Sequence, residues 1–334
     1  MTRLKAGIIG LGIGETHISG YLRHPGCDVA ALCDFNQEKR TLLQQKYPHL
    51  KIVSEADEIL QDPEIEVVSI ASYDNYHYEQ VVKAITQGKH VFVEKPICLA
   101  ESEARQIRSL LNEHADVRLS SNLILRMSPR FRLLKKMVRD GELGKPYYVE
   151  GDYNYGRLEK ITDGWRGKIG FYSVILGGGV HLIDLLLWLT GDVVTDVASY
   201  GNNLSSKDAG FSYNDMVVAI LKFRSGMVGK VSANFGCVFP HFHQLSIYGT
   251  RATFVNGPKE AHIYQSRDPG LRPRRLRSAY PGAAKGDLIF SFIDSIINNT
   301  KPEVTTEDVF NTMSVCFAIE KAVETNQTIA VNYL

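Results

Sequence analysis

No apolar run in this 334-residue chain approaches the roughly 18 residues needed to span a bilayer. The longest candidate, Leu182 to Leu189, is broken by Asp184. No membrane partner is expected. The opening MTRLKAGIIGLG enters a strand pattern at once and leaves no room for a charged region, an apolar stretch and a cleavage site. A cytoplasmic protein is expected. The five cysteines (Cys27, Cys33, Cys98, Cys237, Cys316) are odd in number and lack C-x-x-C spacing, which argues against both a disulfide framework and a zinc site. Neither sign of charge is in excess: 38 Lys and Arg stand against 37 Asp and Glu, so the net charge of +1 offers no global field for nucleic acid. Repeats, low-complexity tracts and long linkers are also missing.

What is present is an ordinary globular composition, 44% hydrophobic and 22% charged. At about 100–200 residues per domain the length predicts two domains. Ala6–Gly10, Val29–Asp34, Ile52–Val53, Val67–Ser72 and Val91–Glu94 read as short β-rich runs alternating with helical patterns, the mark of βαβ units and a doubly wound parallel sheet. One helix is predicted over Glu101–Glu113, with Ala104, Ile107 and Leu111 on its buried face. Beyond Asn122 the strands lengthen: Tyr147–Tyr155, Met216–Phe223, Met227–Phe235 and Phe242–Tyr248, with Ser225-Gly226 as a hairpin signal. The spacing therefore predicts an α/β domain over 1–122 and an α+β domain with a large, mostly antiparallel sheet over 123–334.

Gly10-Leu11-Gly12-Ile13-Gly14 follows the first strand and opens a helix, a context suited to pyrophosphate. Gly10 permits the tight turn and Gly12 the close approach of backbone to phosphate. The usual G-x-G-x-x-G spacing is not met, because the third glycine arrives one residue early and Glu15 takes its place. Asp34 closes the second strand 24 residues after Gly10, where a carboxylate accepts the ribose hydroxyls of NAD and repels the 2′-phosphate of NADP. NAD is favoured over NADP. Glu94-Lys95-Pro96 ends another strand, placing a lysine at the carboxyl edge of the sheet, where open α/β sheets bind ligands; Pro96 restricts Lys95 to an extended backbone.

With these features the sequence resembles the glucose-fructose oxidoreductase / inositol dehydrogenase / MocA-type (Gfo/Idh/MocA) oxidoreductases over essentially its whole length. The resemblance rests on GLGIGETH at 10–17, Asp34, His77 through GKHVFVEKP at 88–96, Arg126-Met127-Ser128-Pro129, GELGKP at 141–146 and GGGVHLIDLLLWLTG at 177–191. It implies a Rossmann domain followed by an open-faced sheet domain, with NAD(P) and a sugar or cyclitol meeting between them. It also implies a homodimer or homotetramer joined through the second sheet. Lys95 corresponds to the motif lysine and His181 to the acid–base histidine, while Asp184 matches the following aspartate. Cofactor contacts are expected at Gly10, Gly12, Ile13, Gly14, Asp34, Ser72, His77, Glu94, Lys95 and Arg126. The family often carries Asp four residues before the histidine; here that position is Gly177.

The glycine run leads into an apolar helix, with His181 expected in its first turn and Asp184 one turn on, on the same face. The positive helix end would keep His181 neutral and able to accept an alcohol proton. Tyr153, Tyr155, Arg157, Trp165 and Arg166 are candidate substrate contacts that could grip a carboxylate, phosphate or nucleotide-sugar diphosphate. Lys160 and a second basic run, Arg272, Arg274, Arg275 and Arg277, have the same chemistry, although a charge run is usually a solvated face. His241 and His243 alternate on one predicted strand without a third ligand, so no metal is expected. The leading expectation is an NAD-dependent dehydrogenase of a secondary alcohol on a sugar, cyclitol or nucleotide-linked sugar. The alternatives are a redox-neutral lyase or glycosidase on the same fold and a non-catalytic NAD sensor.

Overall fold

A computed structural model describes residues 3–334 of the chain. They divide into two compact units, one of 3–124 with Ala284–Phe310 and Leu334, the other of Leu125–Ala283 with Asn311–Tyr333. The boundary lies two residues later than the expected 122/123. A late segment also returns to the first unit, where the helix Asp287–Asn298 supplies part of the core: Phe292 packs on Phe92 with ring centroids 5.7 Å apart. At the segment's start the backbones of Gly20 and Gly286 run so close that a Cβ on Gly20 would sit 2.6 Å from the Gly286 carbonyl oxygen. Further along, Ser120 Oγ donates to Val304 O at 2.9 Å.

The first unit holds six parallel strands, β1 (Leu4–Ile9), β2 (Cys27–Cys33), β3 (Lys51–Val53), β4 (Val67–Ile70), β5 (His90–Val93) and β6 (Leu119–Ser121), in the order β3-β2-β1-β4-β5-β6. The Val/Ile-rich β4 is buried at every position, as a strand covered on both faces requires. Strand order reverses between β1 and β4, which opens a crevice at their carboxyl ends. Helix ends are set locally. Asn36 caps Gln37–Lys46 by accepting the Lys39 N–H at 2.9 Å, and Glu103 reaches back to the Ala100 N–H at the start of Glu101–Glu113.

The second unit is built on nine strands, β7 (Pro146–Asn154), β8 (Val194–Asn202), β9 (Met216–Phe223), β10 (Val228–Asn234), β11 (Phe242–Gly249), β12 (Thr253–Val255), β13 (Ala261–Tyr264), β14 (Arg274–Leu276) and β15 (Ile329–Ala330). Their order is β14-β13-β12-β11-β7-β10-β9-β8-β15, antiparallel except where β7 meets β10. Ser225-Gly226 makes the β9–β10 hairpin, with Gly226 at φ +89°. On β9, buried Val217, Ala219, Leu221 and Phe223 alternate with exposed Ile220 and Lys222, so one face builds the core and the other is open. The apolar helix Val180–Thr190 covers the inner face, where Gly151 of β7 admits Leu182, and stops at Gly191 in the left-handed region. Among the described residues no helix is long and apolar enough to cross a membrane.

Candidate active site

The crevice of the first unit is a cavity of about 530 Å³ lined at its floor by Gly10, Gly12, Ala71 and Ser72 and at its far end by Asp34, Phe35 and Asn36. Gly10 has φ +83° and sits so close to Ala71 that any Cβ would overlap its carbonyl, whereas the space beside Gly12 is open. That open cradle beside the N-terminus of the helix Gly14–Leu22 fits a pyrophosphate. Glu15, the residue out of pattern, is turned into an ion pair with Lys46 at 2.7 Å. Asp34 is 8% exposed and accepts the Leu11 N–H at 2.8 Å and the Asn36 N–H at 2.9 Å, one on each oxygen. A carboxylate offers about four acceptor sites, so two are left for ribose hydroxyls.

Glu94 and Lys95 follow β5. Glu94 Oε1 is 3.2 Å from His17 Nε2 and accepts from Asn122 Nδ2 at 2.6 Å; His17 Nδ1 is 2.8 Å from Ser69 Oγ. Burial pushes the Glu94 carboxyl up, but the His17 hydrogen bond and the charges of Lys285, His17 and Lys95 together hold it well below the usual carboxylate range. Glu94 therefore works behind the pocket, tying the glycine-turn helix to the strand end that carries the half-buried Lys95. His77, fully buried, lies 2.7 Å from Pro96 O and 3.1 Å from Ser72 O, and so holds the backbone of both segments. Ser72 Oγ donates to Gln80 at 2.7 Å, and Ile13 is exposed at the turn.

In the second unit His181 is 5% exposed and stacks on Tyr153, centroids 6.3 Å apart and planes 26° apart. Tyr153 in turn stacks on Tyr155 at 5.7 Å and meets His241 and His243 edge-on, each at 5.3 Å. Two of the three glycines let aromatic rings approach the helix closely. A Cβ on Gly178 would lie 2.5 Å from Tyr153 Cε1, and one on Gly177 would overlap the Tyr172 hydroxyl. All three glycines belong to a π-turn, Ile175–Gly179, that runs without a break into Val180–Thr190. Ser173 caps that turn by accepting the Ile175 and Leu176 N–H groups at 3.1 and 3.0 Å, and its hydroxyl donates to Glu320 at 2.6 Å. Burial raises the Glu320 carboxyl above its ordinary value.

His181 lies in the first turn of Val180–Thr190, as expected, but the positive helix end expected beside it is absent, because the π-turn Ile175–Gly179 precedes it. The helical run begins at Val174, the free N–H groups are spent on Ser173, and the dipole effect fades within one turn. His181 is instead shaped by burial among rings. Tyr153 is pushed up from its ordinary value by burial, against the charges of Arg166 and Arg157, and so remains a protonated donor. His243 has Tyr280 Oη 2.6 Å from Nδ1 and donates its backbone N–H to the same oxygen at 2.9 Å.

Residues 4–122 match the family described as an oxidoreductase family with an NAD-binding Rossmann fold, and residues 131–255 match the GFO/IDH/MocA C-terminal domain. The chain belongs to the Gfo/Idh/MocA oxidoreductases. Its first unit is an NAD-binding Rossmann domain, and the Gfo/Idh/MocA chain is 24% identical to a myo-inositol 2-dehydrogenase of Thermotoga maritima, over 98% of both chains. Its fold matches a scyllo-inositol dehydrogenase from Lactobacillus casei solved with NAD(H) and scyllo-inositol (TM-score 0.81, 20% identity, 99% of both chains). A levoglucosan dehydrogenase in complex with NADH and L-sorbose matches with TM-score 0.85, 19% identity and 99% of both chains.

Against this Gfo/Idh/MocA background, two residues expected to touch ligands are turned on each other. Arg126 and Asp184, 2% and 0% exposed, form a bidentate ion pair, with Arg126 Nε 3.1 and 3.0 Å from the two carboxylate oxygens and Nη2 2.5 Å from Oδ1. Thr312 Oγ1 adds a contact at 3.4 Å. The late basic run is equally committed: Arg274 pairs with Glu142, and Arg275 and Arg277 pair with Glu260. Arg157 and Arg166 lie over the Tyr155 and Trp165 rings. Sequence reasoning missed Tyr280 and Phe235, the ring partners that complete the cluster. The only signal available for them was the alternation of His241 and His243.

Proposed function

We propose that the chain oxidises a secondary alcohol of a sugar, cyclitol or nucleotide-linked sugar, or reduces the matching ketone, with His181 as the proton acceptor and Lys95 polarising the reacting oxygen. The observation that carries this reading is the buried ring cluster around His181, a water-poor setting in which an imidazole has a defined orientation. The comparisons support it through the inositol 2-dehydrogenase named above. Bound NAD supplies the hydride acceptor. The Lys95 ammonium stabilises negative charge developing on the alcohol oxygen as His181 removes its proton. Asp184 and Arg126 serve as a positioning pair that fixes the helix carrying His181. Tyr153 and Tyr155 offer ring faces to the substrate, with Trp165 and the two arginines at its margin.

The protein acts in the cytoplasm as a homodimer or homotetramer joined through the open face of the second sheet, a reading supported by exposed Ile220 and Val228 on that unit's strands. The test of the reaction is a panel of polyols, uronates and nucleotide-linked sugars with NAD, followed at the NADH absorbance. His181→Ala should lower turnover by about two to four powers of ten while NADH affinity stays the same. Product formation without NADH accumulation would overturn the dehydrogenase reading in favour of redox-neutral chemistry.

A further inference from the structure

We propose that His243 is a substrate-binding residue of the His181 site, locked by Tyr280 as the tautomer with its proton on Nε2, so that it donates a hydrogen bond to a substrate oxygen beside the proton acceptor. This rests on the dehydrogenase reading and adds a specificity-determining donor to it.

The lock follows from the hydrogen bonds of one hydroxyl. Tyr280 Oη accepts the His243 backbone N–H at 2.9 Å and lies 2.6 Å from His243 Nδ1. Burial pushes the Tyr280 hydroxyl above its ordinary value, against the His243 N–H and the Arg130 charge, so it keeps its proton. That single proton has Nδ1 as its acceptor, and a neutral imidazole that accepts at Nδ1 carries its own proton on Nε2. The reverse arrangement would give Oη two donors and leave its proton without an acceptor among the described residues.

The rest of His243 is held as firmly. Asn256, 3% exposed, donates to the His243 carbonyl at 2.9 Å, and its own Oδ1 accepts from Arg130 Nη1 at 2.9 Å. Arg130 is 1% exposed, lies 5.1 Å over the Tyr280 ring and donates to the carbonyls of Gly257, Lys259 and Ser278 at 2.6–3.1 Å. All of these acceptors are uncharged, so a costly buried cation is committed to fixing both partners of one imidazole. With Nδ1 turned to Tyr280, Nε2–H lies on the far side of the ring. Tyr280 itself packs on Phe131 and Phe242, whereas the other ring neighbours of His243 are Tyr153 at 5.3 Å, His181 at 6.3 Å and His241 at 4.9 Å. The donor therefore turns from Tyr280 toward the rings that surround the proton acceptor.

NMR of the NADH-loaded protein, isotope-labelled at its histidine nitrogens, reads the tautomer; the His243 signals are those that vanish in His243→Gln. The Nε2–H form should exceed the Nδ1–H form at least about tenfold, and Tyr280→Phe should bring the two within about threefold of each other. A His243 protonated on Nδ1 would overturn the lock. Turnover with NAD is measured on myo-inositol, D-glucose and D-glucuronate. A glutamine amide N–H can reach the place of Nε2, whereas an asparagine amide reaches only that of Nδ1. On the substrate used best, His243→Asn should raise KM about 10- to 100-fold with a smaller fall in kcat, and His243→Gln should recover most of that loss. Equal effects of the two variants, or a loss confined to kcat, would overturn the substrate contact and leave the dehydrogenase reading standing. If none of the three reduces NAD, calorimetric titration of myo-inositol into the NADH-loaded protein decides: binding lost in His243→Asn and kept in His243→Gln upholds the contact while the reaction fails, and no binding overturns it.

Discussion

Asp184→Ala removes the acceptor of three charge-assisted hydrogen bonds and leaves the Arg126 guanidinium buried without that countercharge. Breaking a buried pair from one side costs about 3–5 kcal/mol, because the remaining charge keeps its desolvation penalty. A typical domain has only about 5–15 kcal/mol of stability to lose. Both tryptophans, Trp165 and Trp188, belong to the second unit, and Trp188 lies 5.9 Å from the Arg126 guanidinium, so fluorescence during urea unfolding follows the affected unit. Arg126→Met should cost about as much as Asp184→Ala. The double variant Arg126→Met/Asp184→Leu should recover most of the loss, since an apolar pair of similar volume needs no countercharge. Single variants costing less than about 1 kcal/mol, or costs that simply add in the double variant, would refute the assignment of both side chains to one another.

Asp34→Ser with Phe35→Arg should weaken NAD binding at least about tenfold and improve NADP binding. Fluorescence titration checks this, and equal affinity of the unaltered protein for both cofactors would contradict the role of Asp34. Glu94 has a folded pKa below its ordinary value of 4.5, so it contributes stability that is fully present above that value and drains away as the pH falls from there toward the folded value. Urea midpoints between pH 7 and pH 3 should show a shallower acid limb in Glu94→Gln, and an unchanged limb would count against the buried carboxylate. Gly178→Ala should cost about 1–3 kcal/mol by overpacking and depress turnover more than NADH affinity, because the new methyl displaces Tyr153 from beside His181. Unchanged turnover in that variant would remove the ring stack from the account of catalysis.

The parts legible in the sequence were those whose cause is local. Glu101–Glu113 has a 3.6-residue apolar period, and Met216–Phe223 is a compact run of mostly β-branched and apolar residues ended by the Ser225-Gly226 turn, so their bounds agree with expectation. The short strands β13 to β15 carry too few residues to show a period, and β14 reads only as a basic run. Gly177–Gly179 was visible, but its purpose was not: glycine signals a helix start, whereas here it admits Tyr172 and Tyr153 from elsewhere in the fold. Arg126 and Asp184 were found as motif residues 58 positions apart, and no local pattern says that they face each other. Tyr280 stands 37 residues from His243 and depends on the same kind of long-range meeting.

The return of Ala284–Phe310 to the first unit sets an order for the protein's synthesis. The ribosome finishes the six-stranded sheet when residue 121 is made, but Phe292 and the Gly286 backbone, which close on Phe92 and Gly20, follow more than 160 residues later. During that interval the emerging nucleotide domain exposes the apolar surface that the helix Asp287–Asn298 will cover, while Leu125–Ala283 is being made. Domain-by-domain folding from the N-terminus is the usual course during translation. In this chain the N-terminal unit starts first yet closes only after nearly all of the second has been synthesised, so a release at residue 122 would yield an unfinished domain.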